Sequence, residues 1–167
     1  MQLSRIKSLF EMARLAPAVL GLVVVLVSSV AMASNYYLTD LGRFDTDQVI
    51  LFREAGVQTT EQVLEASLTP KARMALAAKV KLSEPQLTMF AQECEFLQIN
   101  GVGPKAARLI QASGVKNVKD LAARKSTDLL PLLVAANRQQ RITETQPSLD
   151  LVQYWIEEAH RVPYHLK

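Results

Sequence analysis

Residues that start α-helices recur at short intervals along the chain, and this pattern constrains the fold most. Asp45, Thr59 and Ser83 are each followed three residues later by glutamine, the spacing of a capping box, in which the two side chains satisfy backbone N–H groups of the first helical turn. No segment beyond the N-terminal apolar run shows the period-two alternation of a β-strand. The sequence therefore predicts an all-α fold built from short helices.

Further helix starts and ends complete this pattern. Gly56 and Gly114 are predicted to end helices, because glycine readily takes the left-handed conformation that follows a helix. Pro131 is expected within the first turn of its helix, where a proline is tolerated. The additional starts are predicted at Thr69 before Pro70, at Pro104, at Asn117, at Ser126 or Thr127, and at Ser148.

An uncharged apolar run, LAPAVLGLVVVLVSSV, covers residues 15–30. Basic residues precede it and Ala-Met-Ala follows it, an order typical of a secretory signal peptide cleaved after Ala33. The alternative is a retained membrane anchor, because the run up to Ala33 approaches the roughly 20 residues that span a bilayer. Residues 1–33 are thus predicted to be a signal peptide or an anchor. Both interpretations place residues 34–167 outside the cytoplasm, in the periplasm or attached to the inner membrane.

Part of the chain's positive charge belongs to this leader. The whole chain has 19 Lys and Arg against 16 Asp and Glu, a net charge of +3. Residues 1–33 hold three of the basic residues and one of the acidic residues, so residues 34–167 keep 16 against 15 and a net charge of +1. Such a balance is no indication of nucleic-acid binding. The basic groups are concentrated in residues 96–167, which hold ten against six acidic groups.

Two parts of the chain are similar to each other. Residues 51–79 align with 109–137 at an offset of 58, and LTDLG at 38–42 aligns with LQING at 97–101 at an offset of 59. Each unit then consists of a hairpin, a helix, a Gly-Val turn, a short helix and a longer helix, and stacked units of this kind bury one continuous core. We therefore predict one compact helical domain over residues 34–167, with repeat one at about 38–80, repeat two at about 97–140 and a closing helix at about 148–161.

The segment INGVGPKAARLI, residues 99–110, places two glycines one residue apart between two predicted helices. Glycine permits backbone conformations and close approaches that other residues do not. The amides of such a turn and of the helix that follows can form a small anion site. The alternative is a tight connection that only joins the two helices. The candidate phosphate-binding residues are Gly101, Val102, Gly103, Lys105 and Arg108.

The corresponding hairpin of the first repeat, DLGRFDTDQV at residues 40–49, departs from this pattern. Gly42 is kept, but Phe44 aligns with the second glycine, and Asp45 and Asp47 lie where the second copy has Lys105. Acidic side chains at a helix N-terminus satisfy the helix dipole and repel phosphate. The paired arrangement that would bind both strands of a duplex is therefore predicted to be half missing.

The segment INGVGPKAA resembles the helix-hairpin-helix motif. Residues 97–122, with a weaker match at 38–64, resemble an uncharacterised bacterial family built from paired helix-hairpin-helix units, known only as a domain of unknown function. The resemblance covers about residues 38–140 and implies a fold and a helix pairing, not a reaction. In DNA-binding members of the wider superfamily, the hairpin amides contact backbone phosphates without reading bases.

Residue types that carry catalysis or bind metals are sparse. Cys94 is the only cysteine, which excludes an intramolecular disulfide and a cysteine-based zinc site. It is predicted to be a core residue, with an intermolecular disulfide as the alternative. Glu157 and His160 have a spacing that can share a metal, but a solvated helix face is favoured. No catalytic residues, metal or cofactor are predicted, and the closing helix is expected to bury an apolar stripe of Val152, Trp155 and Ile156.

These observations lead to two hypotheses. The leading one is an exported, non-enzymatic adaptor that binds an unknown protein partner through the hairpin face or the groove between the repeats. The alternative is a sequence-nonspecific DNA-binding module of the cell envelope that contacts phosphates through the second hairpin. A retained leader would add the inner membrane as a partner.

Overall fold

The computed structural model describes residues 35–163 and residue 166, so the predicted signal peptide or anchor at 1–33 lies outside the described residues. A short 3-10 helix at Leu38–Leu41 comes first. Eight α-helices follow within this part of the chain: α1 (Thr46–Glu54), α2 (Thr60–Glu65), α3 (Pro70–Lys79), α4 (Glu84–Phe96), α5 (Pro104–Ala112), α6 (Val118–Ala122), α7 (Ser126–Gln140) and α8 (Leu149–Ala159).

The all-α prediction is confirmed. The described residues contain no β-strand, and an isolated antiparallel bridge joins Tyr37 to Thr59. Of the helices within residues 35–163, none has the length and the apolar composition needed to cross a membrane.

Most helix starts follow from their caps. Thr59 and Ser83 form both arms of a capping box with Gln62 and Gln86. At α1 the capping-box prediction is only half right. Asp45 accepts a hydrogen bond from the backbone N–H of Gln48 at 2.8 Å, but the Gln48 side chain donates to the carbonyl of Val80 instead of returning to the cap. This amide therefore ties α1 to the end of α3.

Helix α7 begins at Ser126, one of the two starts predicted for it, but the position predicted for Pro131 within it is wrong. Lys125 is the N-cap, and no side chain among the described residues caps this helix. Pro131 consequently lies inside α7 rather than in its first turn. A proline has no N–H for the carbonyl four residues earlier, which belongs to Thr127. Thr127 and Pro131 are both exposed, so water can satisfy that carbonyl.

Helix α4 lies at the centre of the domain. It packs against α2 and α3 from the first part of the chain and against α5 and α6 from the second. Most of its circumference is therefore buried, with Leu87, Phe90, Ala91, Glu93, Cys94, Glu95 and Phe96 all inaccessible. The core prediction for Cys94 is confirmed, since its side chain is 0% exposed. Burial raises the pKa of this thiol well above its ordinary value, and the neighbouring Glu93 carboxylate raises it further.

An aromatic cluster joins the first hairpin to α4. The rings of Phe44 and Phe90 meet edge to face with centroids 4.7 Å apart, and Phe52 of α1 lies 5.1 Å from Phe44. Such geometries are favourable for aromatic pairs. Phe44, the residue that aligns with the second glycine, is thus a packing residue that fixes the first hairpin on the core.

The last helices enclose the other side of the domain. Helix α5 packs against α7, and α8 packs against both α6 and α7. Val152, Trp155 and Ile156 of α8 are buried, which confirms the predicted apolar stripe.

Replacing Phe90 by alanine should lower the free energy of unfolding by about 3–5 kcal/mol, because it removes a fully buried ring from the aromatic cluster. Urea denaturation measures the change. Met89→Ala is the matched control on the same helix: Met89 is 49% exposed and should change stability by less than about 1 kcal/mol. Equal losses for the two variants would contradict the placement of α4.

Candidate functional site

The predicted phosphate-binding residues form the turn between α4 and α5. Gly101 has a φ of +80°, in the left-handed region that side chains disfavour. Val102 turns inward, with only 2% of its surface exposed, and its N–H donates to the carbonyl of Ile99 at 3.0 Å. Gly103 is the N-cap of α5 and supplies no side-chain cap. Val102 therefore anchors the turn in the core and contributes no side chain to a surface site.

By position relative to the helix start, Asp45 and Gly103 are equivalent, because each is the N-cap of the helix after its hairpin. The sequence alignment placed Phe44 opposite Gly103, one residue earlier. The carboxylate of Asp45 caps α1, whereas Gly103 leaves the first-turn amides of α5 without a side-chain acceptor.

Helix α8 packs directly on the second hairpin. The indole Nε1 of Trp155 donates to the carbonyl of Gly101 at 3.1 Å, and Asn100 Nδ2 donates to the hydroxyl of Tyr154 at 2.7 Å. A Cβ atom added at Gly101 would lie 3.0 Å from Cε1 of Tyr154. The left-handed backbone and the close approach of α8 therefore both favour glycine at this position. These contacts could not be predicted from the sequence, because their partners are 54 residues apart.

The two candidate cations pair with acidic groups of the chain itself. Lys105 Nζ lies 3.3 Å from Oε1 of Glu144, and both side chains are exposed. Arg108 Nε donates to the carbonyl of Pro104 at 3.3 Å and lies 3.9 Å from Oε1 of Glu93. Although Lys105 and Arg108 are close along the chain, they pair with acidic residues in different places. Lys105 pairs with Glu144 in the 141–147 connection, and Arg108 pairs with Glu93 on α4.

A buried ion cluster links the two hairpins. Glu93 of α4 has a side chain 1% exposed, and its Oε2 lies 2.6 Å from Nη1 of Arg43, which follows Gly42 in the first hairpin. Arg108 approaches the other carboxylate oxygen from α5. The guanidinium of Arg43 also lies 5.5 Å from the ring centroid of Phe90, within range of a cation–π contact. Sequence reasoning missed this cluster.

Burial raises the pKa of Glu93 above its ordinary value of 4.5, while Arg43 and Arg108 act in the opposite direction. The Oε2 atom contacts Arg43 closely but lacks a well-directed hydrogen bond. Glu93 is thus an ionisable group whose desolvation outweighs the attraction of two nearby cations.

An open groove lies beside the second hairpin. It has a volume of about 360 Å³ and runs between the first turn of α5, the 141–147 connection and α8. Its apolar lining includes Pro104, Leu109, Leu151 and Trp155. A second depression of about 490 Å³ continues from it along the end of α7.

The remaining candidate metal ligands of the sequence, Glu157 and His160, lie on α8 and at its C-cap. Residues 35–163 and 166 contain no cluster of three or more His, Cys, Asp and Glu side chains placed to hold a metal. Glu157 accepts a hydrogen bond from Gln153 at 2.9 Å and lies on an exposed part of α8. His160 follows α8 as its C-cap.

We expect Gly101→Ala to destabilise the protein more than Gly56→Ala. Both positions have a left-handed backbone, which disfavours alanine by about 1–2 kcal/mol. Within the part of the chain that the structure describes, no atom lies within 4 Å of a Cβ built at Gly56. At Gly101 the added methyl would also press on the Tyr154 ring at 3.0 Å. The ring must move by a few tenths of an ångström and strain its hydrogen bond with Asn100, at a further cost of up to about 1 kcal/mol.

Chemical denaturation of the two variants, each also combined with Tyr154→Ala, tests this difference. The extra loss at Gly101 should disappear in the Tyr154→Ala background. If the two single variants are equally destabilised, the proposed contact of α8 with the turn is wrong.

Glu93→Gln should alter the dependence of stability on pH. The pKa of Glu93 in the folded state is above its ordinary value of 4.5. The contribution of the protonated side chain to the free energy of unfolding is therefore fully present below about pH 4.5, and it is lost as pH rises through the folded-state pKa. The variant should lack this decline, so its unfolding free energy should fall less than that of the wild type between about pH 4.5 and neutrality.

Urea unfolding at a series of pH values measures the two slopes. Glu65→Gln, which changes an exposed carboxylate, is the control for a general charge effect. Parallel curves for Glu93→Gln and the wild type would contradict the raised pKa.

Comparison with known proteins places the chain in a family. No curated protein and no solved structure matches it. A family model described as "Domain of unknown function (DUF4332)" matches residues 42–162, a span that contains all eight helices. The match covers well over half of the chain, and the protein therefore belongs to the DUF4332 family.

Proposed function

We propose that this protein is an exported, non-enzymatic adaptor that binds another protein through the face formed by its second hairpin and α8. The observation that carries the proposal is that the second hairpin and the start of α5 make their polar contacts with other parts of the same chain. The Gly101 carbonyl accepts from Trp155, and Arg108 pairs with Glu93. A turn committed to internal contacts favours a structural role over phosphate binding.

The proposal includes a tandem helix-hairpin-helix architecture. In support, α1, α2 and α3 follow the first hairpin in the same order as α5, α6 and α7 follow the second. The left-handed glycines also recur in pairs at the aligned positions. Gly42 and Gly56 of the first unit correspond to Gly101 and Gly114 of the second, and all four have positive φ. We infer that α8 closes the second unit.

The open groove beside α5 and α8 supports a protein partner. Surfaces that bind proteins combine apolar anchoring positions with a polar rim. Here Leu151, 39% exposed, lies in the groove beside Trp155. Export rests on the leader at residues 1–33 alone, and the inner membrane is a further partner if that leader is retained.

Sequence-nonspecific DNA binding is the second candidate function. It is favoured by three cations that line the second depression, Lys105, Arg138 and Arg141. The acidic residue in that lining is Glu144. The first-turn amides of α5, which have no side-chain cap, would add phosphate contacts with Gly101, Gly103 and Arg108. Against it stands the pairing of Arg108 with buried Glu93.

The two candidates differ in their dependence on salt. We expect the purified chain to show no binding to a labelled duplex or single strand beyond the weak nonspecific range of about 10⁻⁴–10⁻⁶ M, measured by fluorescence anisotropy at low salt. Tighter binding that falls steeply with salt and is lost in Lys105→Glu would replace the adaptor proposal with the DNA-binding one.

A positive test is crosslinking of the tagged full chain in intact cells, followed by binding of the purified partner to the purified chain. The adaptor proposal expects a specific partner with a measurable dissociation constant. It fails if the proteins recovered are the same as those recovered with the tag alone.

A further inference from the structure

The groove beside α5 combines an apolar floor with a basic wall. Leu109 and Trp155 are almost completely buried beneath it, while Leu151 of α8 remains 39% exposed on its side. The second depression shares Lys105, Thr143 and Gln146 with the groove. The two therefore form one continuous surface, which we call the α5–α8 groove.

The charges along this surface have mostly one sign. Its basic side chains are Lys105, Arg138 and Arg141, all exposed, and Glu144 is the acidic residue among the lining groups. Glu144 pairs with Lys105, but the side chain of Lys105 is 61% exposed and that of Glu144 is 91% exposed. An ion pair so accessible to water is weak, and a carboxylate from another molecule can exchange with it.

The wall of the groove is held in place by buried polar contacts. Asn137 at the end of α7 is only 5% exposed, and its amide both donates to the carbonyl of Thr143 at 2.9 Å and accepts from the N–H of Thr143 at 2.8 Å. Arg141 ends α7 in a left-handed conformation, and its N–H donates to the carbonyl of Asn137 at 2.8 Å. The 141–147 connection is thus preorganised, which lowers the entropic cost of binding.

We propose that the α5–α8 groove binds an acidic segment of a partner protein, with one apolar side chain against Leu151 and Trp155 and carboxylates against Arg138 and Arg141. This inference rests on the adaptor function proposed above and assigns its partner's chemistry. Charge complementarity selects the acidic segment, and the volume of about 360 Å³ is in the range of about 300–1,000 Å³ that accommodates compact ligands.

Nucleic acid fits this surface less well. The phosphates of a duplex would match the arginines, but its bases are stacked and paired inside the double helix and cannot reach the apolar part of the groove. A single strand would have to unstack a base to fill it, at a cost in free energy. The lining offers Pro104 and Leu151 there. An acidic peptide with one apolar residue satisfies both parts at once.

The test uses a random library of twelve-residue peptides displayed on phage and selected against the full chain in mild detergent. Enriched peptides should combine Asp or Glu with one Leu, Ile or Phe. Binding of the synthetic peptides is then measured through the fluorescence of Trp155, the single tryptophan of the chain, which lines the groove.

Two sets of variants locate the binding. Arg138→Gln combined with Arg141→Gln should weaken the binding of the selected peptides by about tenfold, since each exposed ion pair is expected to contribute about threefold to the affinity. Leu151→Ser should weaken it by a similar factor. Lys79→Gln is the matched control, because Lys79 is, like Arg138, a cation in the last turn of a helix, and it should leave the affinity unchanged.

The inference is overturned if the library gives no enriched peptides, if the enriched peptides lack acidic residues, or if the groove variants bind them as tightly as the wild type. It is also overturned if a nonspecific DNA strand competes for the groove as effectively as the peptides. A crosslinked partner that binds the groove variants normally would preserve the adaptor function and refute only this site.

Discussion

A carboxylate buried in the central helix governs how the parts of this domain fit together. Burial of Glu93 as an anion without compensation would cost several kcal/mol, and its side chain is 1% exposed. Arg43 reaches it from the first hairpin and Arg108 from the helix after the second. Because both cations approach one carboxylate on α4, the cluster couples the positions of the two hairpins along that helix. Removing either arginine would leave a poorly compensated charge inside the protein.

The two hairpins show how one local shape serves different purposes. The first fills the core with Phe44 and caps its helix with Asp45. The second keeps its glycines, and Gly101 provides the carbonyl and the space that α8 needs. Glycine at position 101 is therefore explained by its left-handed backbone and by the packing of α8, without a bound phosphate. What remains accessible is the surface beside the turn, where a groove and exposed cations adjoin.

Local interactions made much of the fold predictable. Capping at Thr59, Ser83 and Ser148 involves atoms within four residues of one another, so the helix starts could be predicted from spacing alone. The position of Pro131 was predicted wrongly. Helix α7 begins at Ser126 and continues through the proline, because the carbonyl of Thr127 that the proline leaves unpaired is on the exposed side of the helix, where water can satisfy it.

The candidate site was less predictable from the sequence. The five hairpin residues were identified by motif, but their partners were not. The bond from Trp155 to Gly101 and the contact of Arg43 with Glu93 join distant segments. Only tertiary packing brings such groups together, and a single sequence carries no signal of that pairing.

The burial of Cys94 has a practical consequence. It is the single cysteine of the chain, it lies on the central helix, and its sulfur is shielded by the helices packed around α4. A thiol reagent can reach it only when those helices separate. The rate at which the thiol is modified therefore reports how often the core opens. Comparing the free energy of that opening with the global free energy of unfolding would show whether α4 is exposed by complete unfolding or by a smaller, local opening.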